Sequence, residues 1–229
     1  MKRFAALTMI FGLLAVIQAP LLAQDYAAAP AGDWNEPENH TIVVDRLMMY
    51  HDYGEYDREI QVVVDAARDY LSAVVNSAPQ SDRLAAVFDI DETSLSNYPT
   101  MAECGFCSYA EQLKYYGNAI DPAIQPVLAL YNFAKSKGFA VFFVTGRQEP
   151  LRPQTIANLT KAGYSGWADL IMQPKGATEP AGVFKPKDRK SIEDKGYRIV
   201  LNIGDQASDL SGCCAERGFK LPNPFYLVK

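Results

Sequence analysis

The chain reads as an α/β protein built on a parallel sheet, with helices on both faces. Three observations carry that reading. Short apolar runs at 84–88, 139–144 and 197–203 have the length and content of buried strands. Segments with helical spacing or helix-end residues alternate with them, which is the pattern of a parallel sheet. Each run also ends in polar residues: Asp89-Ile90-Asp91, Thr145-Gly146-Arg147, and Gly204-Asp205-Gln206-Ala207-Ser208-Asp209. A buried strand has no reason of its own to end in carboxylates, whereas the carboxyl ends of the strands in an open α/β sheet share the rim where ligands bind.

The elements follow in order. Lys2 and Arg3 precede an apolar stretch, Phe4 to Ile17, broken only by Thr8 and Gly12. This is the pattern of an export signal, and it is short for a membrane span of about 20 residues. Cleavage after Ala23 makes 1–23 the signal, with 27–31 as the alternative site, and no Cys stands there to carry a lipid. Residues 24–40 form an aperiodic lead-in, and 41–229 form the folded domain. Ile60, Val63, Val64, Ala67, Leu71 and Val74 recur at helical spacing, until Asn76-Ser77-Ala78-Pro79 ends the helix; 41–54 is a second helix packed on it.

After the first strand, residues 94–121 are an aromatic-rich insertion over the strand end, with Tyr98, Phe106, Tyr109, Tyr115 and Tyr116. These rings either pack the cap or stack a base. A helix is expected over 123–137, with Pro122 at its start and Gly138 past its end. Further expectations are a helix over 152–162, a short strand at 169–172 and a basic helix over 186–195.

The 229 residues are 48% hydrophobic and 21% charged, enough for one domain with a real core. The net charge of -5, with basic residues clustered only at 185–190, argues against a nucleic acid polymer as partner. The four cysteines fall as Cys104-x-x-Cys107 and Cys213-Cys214. In an exported chain they favour disulfides over zinc. Neighbouring cysteines bridge each other reluctantly, so at least one of Cys213 and Cys214 is expected to pair with Cys104 or Cys107, bringing those loops together.

The strand ends suggest chemistry. Asp89 and Asp91 are two apart, so an extended path points both one way, and two carboxylates in one pocket need a proton or a cation between them. A carboxylate can attack phosphorus, and Mg²⁺ prefers the all-oxygen shell that Asp89, Asp205 and Asp209 offer. Lys185 can add positive charge beside a phosphoryl group. The Thr145 hydroxyl and the N–H groups after it can bind its oxygens. Asp91 can protonate the leaving oxygen and then activate water. Each has a plainer reading: Thr145 as a cap, Lys185 on a solvated face, Asp209 as a helix cap.

Four stretches together resemble a known family. Val-Phe-Asp-Ile-Asp-Glu-Thr-Ser-Leu-Ser-Asn-Tyr from Val87, Phe-Phe-Val-Thr-Gly-Arg from Phe142, Asn-Ile-Gly-Asp-Gln-Ala-Ser-Asp-Leu from Asn202 and Lys-Leu-Pro-Asn-Pro-Phe-Tyr from Lys220 are similar to motifs of the haloacid dehalogenase (HAD) superfamily. Within it they resemble the class B-type (subfamily IIIB) acid phosphatases, a group that also holds plant vegetative storage proteins. The resemblance implies a Rossmann-like sheet with a helical cap, Asp89 as nucleophile, Asp91 as acid/base and Lys185 as the stabilising lysine. It implies that Thr145, Gly146, Arg147 and Arg189 serve the substrate. It also implies Mg²⁺ on Asp89, Asp205 and the backbone carbonyl of Asp91, with Asp209 either a further ligand or a support to one.

The expected function is an exported, periplasmic or extracellular Mg²⁺-dependent acid phosphatase acting on small phosphomonoesters, nucleoside monophosphates among the candidates. It has no stable membrane anchor once the signal is removed, and a homodimer is one option for its assembly. The alternatives are a non-catalytic storage or phosphate-ester-binding protein, and a dehalogenase. A dehalogenase needs no metal, so the second carboxylate of Asp-x-Asp and the Gly-Asp-x-x-x-Asp cluster speak against it.

Overall fold

The structure, a computed structural model, describes residues 37–79 and 81–228. The expected export signal and nearly all of the lead-in lie outside the described residues. β1 (Leu84–Phe88) is the middle strand of a five-stranded sheet that also contains β2 (Ala140–Gln148), β3 (Asp169–Gln173), β4 (Arg198–Gly204) and β5 (Arg217–Lys220). The order is β3-β2-β1-β4-β5, and every pairing is parallel. The chain runs outward from β1 to β3, then returns to β4 on the other side. The carboxyl ends of β1, β2 and β4 therefore flank the point where the strand order reverses, which is where such sheets open a crevice.

Helices cover both faces, as expected. α1 (His40–Asp52) leads into α2 (Glu55–Ser77), whose buried stripe of Tyr56, Ile60, Val64, Ala67, Leu71 and Val74 keeps one face toward the core. α2 and α5 (Gln125–Ser136) pack with Ala86, Phe88, Val141 and Phe143 in one apolar cluster. Alternate residues of the same strands, Ala85, Val87, Phe142 and Val144, turn to the opposite face and meet Ile192 of α7 (Ala181–Asp194). Burial on both faces explains why these strands read as continuous apolar runs rather than alternating ones.

The cap leaves the sheet after β1 and returns before α5. It holds α3 (Tyr98–Glu103), α4 (Tyr109–Gln112) and a short 3₁₀ turn at Tyr116–Asn118. Its two ends are tied together: Ser96 N–H donates to Pro122 O at 2.9 Å and Ile124 N–H to Ser94 O at 3.1 Å.

Four expectations need correction. α5 begins at Gln125, with Pro126 rather than Pro122 in its first turn. β2 does not stop at Val144 but runs through Thr145-Gly146-Arg147 to Gln148, with a break in its register against β3 after Thr145. α7 begins at Ala181, so Pro186 lies inside it. The proline has no N–H for the carbonyl of Gly182, and the Ser211 hydroxyl donates to that oxygen instead, at 3.3 Å. Lastly, the cysteines pair within each pair, Cys104 with Cys107 and Cys213 with Cys214, and no bond joins the two loops. The left-handed backbone at Gly105 (φ 65°) and Phe106 (φ 56°) turns Cys107 back toward Cys104, and Cys214 itself has φ 76°. With all four sulfurs bonded, no thiolate is left for zinc.

Candidate active site

Asp89 follows the last residue of β1, and its N–H still joins the ladder, donating to Ile203 O of β4 at 3.0 Å. Because Phe88 is in register with Ile203, Asp89 and Asp205 emerge on neighbouring strands. Asp209 comes one turn later, on α8 (Ala207–Leu210), where its carboxylate turns back to accept the N–H of Gln206 at 2.8 Å. Gly204 permits that fold, since a Cβ there would collide with the Asp209 side chain. Asp89, Asp205 and Asp209 are all buried, and each offers an oxygen within 4.8 Å of those of the other two.

Lys185, projecting from α7, supplies the counter-charge. Its buried ammonium donates to Asp89 Oδ1 at 2.5 Å and to Asp209 Oδ1 at 2.6 Å. One cation among three buried carboxylates leaves negative charge uncompensated, which favours the protonated carboxyls. Burial pushes the Asp89 carboxyl well up, and Asp209 and Asp205 add to the shift against the opposing pull of Lys185. Burial, then Asp209, pushes Asp205 up to about 7. Burial disfavours the Lys185 ammonium, but Asp209 and Asp89 more than offset this and hold it charged. A set of three carboxylates, all oxygen donors with charge to spare, fits a hard divalent cation.

Asp91 faces the same pocket but stands apart from the trio. Its carboxylate is gripped by Arg147, with Nη2 to Oδ1 at 2.6 Å and Nε to Oδ2 at 3.0 Å, and it accepts from Asn97 Nδ2 at 3.2 Å. Thr145 is fully buried, and its Oγ1 accepts the Arg147 N–H at 3.1 Å, while Gly146 lines the pocket.

Two expected substrate residues are placed elsewhere. The Arg147 side chain is committed to Asp91 and Asp121. Arg189 donates to the backbone carbonyls of Asp209 at 2.7 Å, Cys213 at 3.0 Å and Ser211, and so clamps the loop after α8.

The pocket at the trio is small, about 40 Å³, and Tyr226 and Val228 help to close it. A cavity of about 390 Å³ shares Gly146 with it and is lined by Leu113, Tyr116, Arg147, Pro150 and Leu151, with the amides of Gln148 and Gln173. A larger cavity of about 530 Å³, between α2 and the 122–126 segment, touches none of the three carboxylates. Two cap aromatics pack: Tyr98 and Phe106 form a ring cluster with Phe225.

Comparison with known proteins decides the family. The model of HAD superfamily, subfamily IIIB (acid phosphatase) matches residues 27–229. The chain belongs to this family. Acid phosphatase 1 of Solanum lycopersicum is 38% identical to this subfamily IIIB member over 181 residues, 76% of the chain and 69% of that protein. Vegetative storage protein 1 of Arabidopsis thaliana is 35% identical over 147 residues, 62% of the chain but only 54% of that protein. Among solved structures, the class C acid phosphatase from Bacillus anthracis shares the fold of this IIIB phosphatase chain, with a TM-score of 0.67, 20% identity and coverage of 81% of this chain and 86% of the other.

The partners of several site-shaping residues are not readable from the motifs. Asn223, in the Pro-flanked tail, donates to Asp205 Oδ2 at 2.7 Å; Gln206 Nε2 does so at 2.5 Å, and Thr93 Oγ1 reaches Oδ1 at 3.1 Å. Tyr56 of α2 donates to Glu92 Oε1 at 2.8 Å, beside Ser96 Oγ at 3.1 Å, while Asn97 N–H binds Oε2 at 2.9 Å. These bonds hold Glu92 in a left-handed turn (φ 51°) and so shape the Asp89–Ser94 loop. Helical spacing could have revealed Tyr56, which lies four residues before Ile60; a buried hydroxyl needs a partner. Tyr56→Phe is expected to cost about 1.5–3 kcal/mol, the range for a hydrogen bond to a charged group. The check is a fall of several degrees in melting temperature with the ring packing retained.

Proposed function

We propose that this acid phosphatase family member is an exported Mg²⁺-dependent hydrolase of small phosphomonoesters that works through an aspartyl-phosphate. One observation carries the reading: three carboxylates and one lysine from separate elements meet in a single buried pocket. Asp89 is the nucleophile, and one of its oxygens attacks phosphorus as the bond to the leaving oxygen breaks. Asp91 gives that oxygen its proton. Asp91 then takes a proton from the water that attacks the acyl-phosphate, and the bond from phosphorus to Asp89 breaks, restoring both side chains. Lys185 holds positive charge beside the transferred group, and the Thr145 hydroxyl with the backbone around Gly146 orients its oxygens. Asp89, Asp205 and Asp209, with the carbonyl of Asp91, would hold Mg²⁺. When bound, the cation supplies the charge that returns Asp89 to its ionised form and screens it from an anionic ester.

The cavity beyond Gly146 suits the leaving group. It is mainly apolar, and no carboxylate lines it among the described residues, which favours aryl or nucleoside esters. Two disulfides among the described residues support export to an oxidising compartment.

The test is phosphate release from p-nitrophenyl phosphate by the mature protein. Full loss in EDTA and recovery with Mg²⁺ is the expected result; activity unchanged in EDTA would sink the metal-dependent reading. Cation binding should also be pH-dependent. With Asp205 pushed up to about 7 in the metal-free protein, binding must expel a proton at lower pH. Affinity for Mg²⁺ should therefore fall, by about tenfold per unit for each proton expelled, as pH drops below that value. Calorimetry in two buffers of different ionisation enthalpy reads the released proton directly.

A further inference from the structure

Asp121 lies in none of the four motifs, between the cap and α5, yet it is buried and its Oδ2 accepts from Arg147 Nη2 at 3.1 Å. We infer that Asp121 is a positioning residue for the reaction, holding Arg147 so that Arg147 holds the Asp91 carboxylate at the pocket. The inference rests on the reading of Asp91 as proton donor.

The Arg147 side chain is fully buried, and a guanidinium so placed needs partners on several sides. Asp91 takes Nε and Nη2, Asp121 shares Nη2, and the Tyr116 ring covers the guanidinium carbon at 4.5 Å. Nη1 has no partner among the described residues, so no third hydrogen-bonding group fixes the fork. Asp91 alone would balance the charge of Arg147. A second buried carboxylate adds desolvation cost without improving neutrality, and what it contributes is a second fixed acceptor on Nη2.

That acceptor is anchored to the body of the protein. Buried Asn158, on α6 (Arg152–Lys161), accepts the Asp121 N–H at 3.1 Å and donates to the Asp121 carbonyl at 2.6 Å. A rigid chain thus runs from α6 through Asp121 and Arg147 to Asp91. Without Asp121, the Asp91–Arg147 pair keeps its internal bonds and the Asn97 contact but loses its tie to α6, and the donor shifts from its place.

The test compares kcat/KM for p-nitrophenyl phosphate, whose leaving group departs without a proton, with that for ethyl phosphate, whose alkoxide needs one. All enzymes are assayed with saturating Mg²⁺. Asp121→Ala is expected to lower the ethyl value about tenfold more than the aryl value, a fraction of the 10²–10⁴-fold that general acid catalysis supplies. Asp121→Asn keeps an oxygen for Arg147 and should recover most of the loss. An equal fall on both esters, or none on either, overturns the inference. Asp91→Asn separates the two ideas. If it affects both esters alike, Asp91 is not the donor and the underlying reading fails; if it skews the ratio while Asp121→Ala does not, only the positioning role fails. Should Asp121→Ala not fold, Asn158→Ala loosens Asp121 without touching the ion pairs. A skew in the same direction then supports the role, and an equal loss overturns it.

Discussion

Asp89→Asn is expected to abolish phosphate release from p-nitrophenyl phosphate, by at least about 10⁴-fold, the scale on which removal of a covalent nucleophile falls. The amide keeps the shape of the side chain but cannot form an acyl-phosphate, and it should weaken the proposed cation site as well. Stability should move the other way. The metal-free Asp89 carboxyl is held well above its ordinary 3.8, chiefly by burial, so its ionised form is disfavoured in the folded protein. That penalty is absent below about pH 4 and grows as pH rises past the unfolded value. The uncharged amide escapes it, and Lys185 retains Asp209 as a partner. Metal-free Asp89→Asn should therefore melt at or above the wild type at neutral pH, with the gap closing toward acid pH. A variant that folds and still turns over at the wild-type rate would remove Asp89 from the chemistry and favour a binding or storage role. Such a role is not idle, because vegetative storage proteins are among the chain's relatives.

Lys185→Met should be the most damaging single change to the metal-free fold. Lys185 is buried, with its ammonium on Asp89 and Asp209 and a third carboxylate, Asp205, in the same cluster. Removing one side of a buried ion pair costs about 3–5 kcal/mol, because the other charge is left unpaired. In a chain of this size that corresponds to a fall of roughly 6–20 °C in melting temperature. The cost has a signature: acid pH protonates the stranded carboxylates, and Mg²⁺ neutralises them. Both should recover part of the lost stability, while activity stays low because no fixed charge faces the phosphoryl group. Thermal melts at pH 5 and 8, with and without Mg²⁺, check this. A loss independent of both pH and Mg²⁺ would point to packing by the lysine stem instead.

The sheet was legible because its strands are buried on both faces. Burial on both sides makes Leu84–Phe88 and Arg198–Gly204 largely apolar, and their polar ends stand out against that background. Asp89, Asp205 and Asp209 were readable for the same reason, although Asp209 also serves the plainer role of a helix cap, accepting the Gln206 N–H. Helix starts were less legible. Gln125 and Ala181 begin helices whose boundaries depend on how prolines 126 and 186 are accommodated, and for Pro186 the remedy is a hydroxyl from Ser211, distant in sequence. The cysteines misled for a related reason. Spacing says which sulfurs are awkward partners, while pairing follows from local backbone turns at Gly105, Phe106 and Cys214.

By itself, then, the order of residues determined the fold class, the family motifs and the identity of the charged groups at three strand ends, since local burial and strand period are written along the chain. Which of those groups face one another was decided only by the tertiary structure. Arg147, expected beside the phosphate, turns to Asp91 and Asp121; Arg189 turns to backbone carbonyls; Asn223 of the tail motif turns to Asp205; and Tyr56 and Asp121 enter from segments outside the four motifs. The physical reason is that a buried polar group must find its partner wherever packing brings one within about 3 Å, and that distance is set by the register of strands and the docking of helices rather than by neighbours in sequence.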